Sequence, residues 1–245
     1  MNKLRRWWLA PLVGVCLVGC QPKAPEASAE TPEAKPPTET PEATPPAETK
    51  KELPAAYRHA GFEYYGLGNN KPLSMVLKRT GSTLTGGQEF KLEDVKDDGA
   101  VYVQQWTGDL APNGSTKLRV NADGIFGIEA QGNPINPAQL EMPADPKPGF
   151  KWTSAAKIVL AGGSIDSTDS KIIGMKSIKI GGKDTQVLLI ERVSKAKLPD
   201  PAGKIVDQTL KSVEYYQKGV GAVRVEVTVS GKGVPTNTFS MEAKP

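Results

Sequence analysis

Apolar and polar residues near the C-terminal end alternate with a period of two. In Val223, Arg224, Val225, Glu226, Val227, Thr228, Val229 every odd position is valine and every even one polar. That pattern predicts a strand with one buried and one wet face, and four buried valines at about 1.5–3 kcal/mol each make it a principal contributor to a core. Ser230, Gly231, Lys232, Gly233 then turn the chain into a last strand around Thr238, Phe239, Ser240 and Met241.

The same reading extends back to Tyr57. Phe62–Tyr65 reads as a short aromatic strand and Leu73–Lys78 as an apolar one ending at Thr80, Gly81. Asp97, Asp98, Gly99 form a turn ahead of the β-rich Val101–Trp106. Asn121, Ala122, Asp123, Gly124 reverse the chain between Leu118, Val120 and the run Ile125–Ile128. Strands about ten residues apart, separated by Gly and Asx turns, are the signature of an antiparallel meander. Pro134, Pro137, Pro143, Pro146 and Pro148 predict a long connection that crosses the sheet or separates two halves. Strands resume around Trp152 and Ile158–Leu160, and Ile178–Ile180 joins Val187–Ile190 through Gly181, Gly182. Val187–Ile190 is apolar on both faces, which predicts a central strand covered on each side. No stretch shows helical periodicity, and β-branching with Gly162, Gly163 argues against a helix over Ala155–Leu160. The expected fold is all-β: a predominantly antiparallel meander forming a curved sheet or partly open barrel.

This pattern begins only at Leu53. Residues 1–19 carry Lys3, Arg5 and Arg6 ahead of an apolar run from Trp7 to Val18, the layout of an export signal and too short for a stable bilayer span. Residues 20–52 are almost wholly Pro, Glu, Ala, Thr and Lys, and Pro-Glu-Ala recurs at Pro25, Pro32 and Pro41. Such a segment cannot bury enough apolar area to offset its ordering entropy and is expected to be a disordered tether. Residues 53–245 form the β-rich domain.

The charge balance removes one class of partner. Of the formal net charge of +4, three positive charges lie in the signal, which leaves a near-neutral chain and no reason to invoke nucleic acid. Cys16 lies within the signal and Cys20 at its end, so the domain holds no cysteine for a disulfide. The single histidine, His59, argues against most metal sites and His-dependent catalysis; no cofactor and no metal are expected.

Leu17, Val18, Gly19, Cys20 resembles the lipobox of bacterial lipoproteins. The resemblance implies cleavage between Gly19 and Cys20, diacylglycerol on the Cys20 thiol and an acylated, palmitate-like N-terminus held on a membrane. Gln21 in place of aspartate implies the outer membrane, facing the periplasm, where two membranes exist. Tyr215, Tyr216, Gln217, Lys218, Gly219, Val220, Gly221, Ala222, Val223, with the earlier Pro148, Gly149, Phe150, Lys151, Trp152, is similar to a signature of uncharacterised β-rich envelope lipoproteins. A more distant similarity is to the half-barrels of lipoprotein sorting.

Candidate chemistry is sparse. Ser154 to Lys157, Ser194 to Lys197 and Arg79, Thr80, Gly81 imitate elements of penicillin-binding enzymes, but in reversed order and without the Ser-x-Asn element. Asp97, Asp98, Asp166 and Asp169 are read as turn residues. Lys171, Lys176, Lys179 and Lys183 gather on one hairpin, as a solvated face or a contact for anionic lipid or cell-wall polymer. The aromatic residues Tyr64, Tyr65, Trp106, Trp152, Tyr215 and Tyr216 are candidates to line a ligand groove. The expected function is a lipid-anchored, non-enzymatic envelope module that binds or assembles another envelope component, be it protein, lipid or cell-wall polymer. Alternatives are a carrier or chaperone with a hydrophobic concavity for lipid or lipoprotein, and an envelope hydrolase.

Overall fold

The computed structural model describes residues 53–69, 71–160 and 162–244. The expected signal, the Gly19–Cys20 cleavage position, the lipidation position Cys20 and the tether lie outside the described residues. The first half of the domain forms β1 (Leu73–Arg79), β2 (Ser82–Lys96), β3 (Gly99–Gly108), β4 (Ser115–Asn121), β5 (Gly124–Ala130) and β6 (Asn133–Pro143). The second half forms β7 (Lys151–Ser154), β8 (Ile158–Leu160), β9 (Gly163–Ile180), β10 (Lys183–Pro199), β11 (Ile205–Gln217), β12 (Gly221–Gly231) and β13 (Val234–Ala243).

All thirteen strands belong to one antiparallel sheet in the order β6-β5-β4-β3-β2-β1-β13-β12-β11-β10-β9-β7, with β8 paired to β9. The predicted all-β, curved antiparallel architecture is therefore present. Two meanders meet where the first strand pairs with the last, Met75 opposite Ala243. The sheet curls until its free edges face each other, and side chains bridge the gap. Trp152 Nε1 donates to the Leu140 carbonyl at 2.8 Å. Arg192 Nη2 donates to the Glu141 carbonyl at 2.7 Å, and Asn133 Nδ2 to that of Val159 at 3.4 Å. The seam of this nearly closed barrel is thus a set of side-chain clasps rather than a ladder.

Val223, Val225, Val227 and Val229 are at most 2 % exposed, the inner face that the alternation predicts. Gly181 and Gly182 take φ of 55° and 82°, as a type I′ hairpin turn requires, and set the β9–β10 register. Val187–Ile190 lies in β10 between β9 and β11 and is buried on both faces. The β9–β10 tip runs past the end of β11 and bends toward β12. There Arg224 donates to the Lys179 carbonyl at 2.9 Å, and Ile178 and Ile180 pack against the core.

Three expectations are corrected. Pro134, Pro137 and Pro143 are not in a connection but in β6, an edge strand, where a missing amide breaks no interior ladder. Asp166 and Asp169 lie within β9 rather than in turns, and accept from Ser164 Oγ at 2.8 Å and Thr153 Oγ1 at 2.6 Å. Phe62–Tyr65 is not a strand: it belongs to a helix, α1 (Ala60–Tyr65). A helix this short is marginal alone, and packing holds it. Gly61 donates to the Ala144 carbonyl beside β6, and Gly219 in the β11–β12 turn donates to the Glu63 carbonyl, both at 2.9 Å. The helix thus crosses one mouth of the barrel. Phe62 and Tyr65, on one face of it, dip inward against Tyr102 and Tyr216.

His59 caps this plug. Its Nδ1 accepts the Phe62 amide at 3.0 Å, and its Nε2 lies 3.1 Å from the Asn121 carbonyl. Only a neutral ring protonated at Nε2 makes both bonds. Burial lowers its pKa below 6.5, against smaller upward effects of the nearby carbonyls. The unfolded chain therefore takes up this proton first as pH falls. The stabilisation is complete above about pH 6.5 and is lost through the window between that value and the lower native pKa. His59→Asn retains a capping oxygen without a titrating ring. The fall in Tm of wild type between neutral and mildly acid pH should exceed that of the variant; equal falls would refute the cap.

Candidate functional site

β9, β10 and β11 turn a row of polar side chains into the barrel. Arg192 on β10 stands in register with Ser170 on β9 and Ser212 on β11, on the face shared with Ile190 and Ser194. Arg192 is 4 % exposed and Glu214, on the same face of β11, 1 %. Nε of Arg192 donates to both Glu214 carboxylate oxygens at 3.1 Å, and Nη1 to Ser170 Oγ at 3.2 Å. The Glu141 carboxylate approaches from β6 at 3.6 Å, and the guanidinium lies over the Trp152 ring, 5.5 Å from its centroid. Glu214 also accepts from Ser212 Oγ at 3.2 Å and Tyr216 OH at 2.7 Å.

The electrostatics follow from this enclosure. Burial alone would lower the Arg192 pKa, but Glu214 and then Glu141 outweigh it and hold the guanidinium charged. Burial pushes the Glu141 carboxyl up; Arg192 opposes the rise and Glu214 adds to it. Burial, then Glu214, keeps the Tyr216 phenol protonated as a donor. Every group here is engaged with a neighbour, so the cluster is built to hold β6, β9, β10 and β11 together.

Next to it lies a cavity of about 40 Å³ lined by Tyr65, Gln104, Thr116, Gln139 and Glu141 among others. Gln139 Nε2 donates to Glu141 Oε1 at 3.0 Å. The space is of a size for water and far too small for an acyl chain. Val187–Ile190 is itself core, covered on both faces as its two-sided apolar run predicts.

Of the six aromatic candidates, three converge. Tyr65 and Tyr216 stack at 5.9 Å beside the Arg192 cluster, and Trp152 covers it from the seam. Trp106 is buried on β3 away from the cluster. Tyr215 points to the opposite face, where it bonds Glu226 at 3.1 Å under Arg224. Tyr64 is on the rim, its OH 3.4 Å from Met175 Sδ. The six therefore do not form one groove: burial divides them between the interior, the outer face and the rim. Ser194 is interior and bonded to Thr168 at 2.9 Å, whereas Lys197 is on the outer face beside Asp207, so that Ser-Lys pair is split across the sheet. Arg192, Glu214 and Glu141 escaped the sequence reading. The signal for Arg192 was parity, since it shares a face with Leu188 and Ile190.

Outside the barrel, β11, β12, β13 and β1 form an open groove of about 600 Å³. Its lining includes Lys78, Lys211, Val213, Glu226, Thr228 and Ser240.

Fold and site together define an antiparallel, nearly closed β-barrel with a structural ion cluster inside and an open groove outside. No protein-family model matches the sequence, and no curated protein matches it either. Among solved structures, the chain is similar to a candidate lipoprotein from Parabacteroides distasonis (TM-score 0.44, 13 % identity, 74 % of this chain and 98 % of that one). It is also similar to the hypothetical lipoprotein YmcC from Escherichia coli (0.34, 12 %, 76 % and 89 %). A third is a candidate exported protein with a YmcC-like fold from Bacteroides fragilis (0.34, 8 %, 71 % and 95 %).

Proposed function

We propose that the protein is a lipid-anchored component of a bacterial cell envelope, a non-enzymatic module that binds or assembles another envelope component. The Leu17–Cys20 lipobox and the tether support the anchoring. The observation that carries the binding role is the division of polar groups between the two faces. Inside, those around Arg192 are engaged with one another; outside, polar groups line a groove of ligand-site size.

Photo-crosslinking residues introduced in living cells at Lys211, Thr228 and Ser240 test it. The expected result is one discrete adduct from these positions and none from the opposite side of the barrel. Adducts independent of position would sink the reading, as would turnover of an ester or cell-wall substrate abolished by one polar substitution. The anchor is checked separately by intact mass at Cys20.

A further inference from the structure

We infer that the tether-side mouth of the barrel is a docking surface for an anionic phospholipid bilayer, a proposal that rests on the lipid-anchor reading. Tyr57 lies beside the mouth plugged by α1, where its OH reaches the Asp97 carbonyl in the β2–β3 turn. At this same end large apolar side chains face solvent: Met175 is 51 % exposed, Phe150 43 % and Ile173 39 %. Their segments adjoin in the chain fold. Gly149 and Phe150 exchange backbone bonds with Ile172 at 2.8 and 2.9 Å, and Tyr64 OH touches Met175. Polar surroundings make such a patch an interaction site rather than stray exposure.

The occupant is argued from charge and position. Lys151, Lys171 and Lys176 flank Phe150, Ile173 and Met175, and no carboxylate among the described residues lies within ion-pair distance of them. Lys151 and Lys171 stand directly opposite each other across the β7–β9 ladder, with Glu191 opposite Lys171 on the β10 side. Aromatic and flexible apolar side chains ringed by lysine match the chemistry of a headgroup boundary, where apolar insertion and headgroup attraction add. The anchor at Cys20 would hold the domain near that boundary at high effective concentration, so a weak surface suffices.

The test uses the mature chain from residue 20 with Cys20→Ser, which carries no lipid, sedimented with phosphatidylglycerol-containing or phosphatidylcholine vesicles. The chain is expected to partition onto the anionic vesicles and to be released by salt. Each Lys→Gln change at Lys151, Lys171 or Lys176 should weaken partition about fivefold. Phe150→Ser with Met175→Ser should weaken it about tenfold or more. Thermal melts matched to the parent chain exclude unfolding. No partition of the parent, equal partition onto both vesicles, or unaltered partition of the variants overturns the proposal. So does a lipid-free dimer abolished by Phe150→Ser, which assigns the patch to a second copy. Intact mass at Cys20 separates failure of the anchor reading from failure of this one: a lipidated protein whose lipid-free chain ignores vesicles defeats docking alone.

Discussion

Arg192→Met is expected to lower stability by about 3–5 kcal/mol, a fall in Tm of roughly 6–20 °C for a domain of this size. The change leaves the Glu214 carboxylate buried with Tyr216 and Ser212 as donors, without the guanidinium that offsets its charge. It also removes the donor to the Glu141 carbonyl, one of the clasps across the seam. Arg192→Lys should recover only part, because an ammonium cannot span both Glu214 oxygens, Ser170 and Glu141 as the planar fork does. Adding Glu214→Gln to Arg192→Met should restore more than half of the loss, since the uncompensated charge then disappears. Denaturant unfolding measures all three. A change under about 1 kcal/mol for Arg192→Met would show that the interior is wet enough to solvate Glu214.

Gly61→Ala is expected to unseat the helical plug. A β-carbon at Gly61 collides with the Pro143 carbonyl, backbone that cannot swing aside, and overpacking of this kind costs about 1–3 kcal/mol. Gly66→Ala should act in the same direction. Gly66 ends the helix at φ 81° and lies against the Val220 carbonyl, so left-handed strain of roughly 1–2 kcal/mol accompanies the clash. Gly182→Ala, in an open turn with nothing near its added carbon, separates strain from collision. The readout is loss of near-ultraviolet dichroism from Tyr65, Tyr102 and Tyr216 along with the shift in Tm. An unaltered aromatic signal in Gly61→Ala would mean that the plug is not seated as described.

The strands were legible wherever one face is apolar and the other wet. Val223–Val229 and the Gly181–Gly182 hairpin follow directly from period and turn chemistry. The reading failed where tertiary contacts override local preference. Phe62, Tyr64 and Tyr65 carry strand propensity, yet glycine on either side lets the backbone approach β6 and the β11–β12 turn closely enough to keep a helix there. The prolines of β6 looked like a connection because an edge strand and a loop make the same demand on the backbone. The ion cluster was hidden for a different reason. Arg192, Ser194, Ser212 and Glu214 occupy alternate positions, as solvated residues do, and only closure of the sheet makes that face an interior.

Pairing of the first strand with the last has a consequence for how the molecule matures. Until β13 is delivered, β1 presents a bare edge and each meander lacks the neighbour that aligns it. Productive folding must therefore wait for the final residues to emerge, a non-local requirement of the kind that slows folding and exposes strand edges.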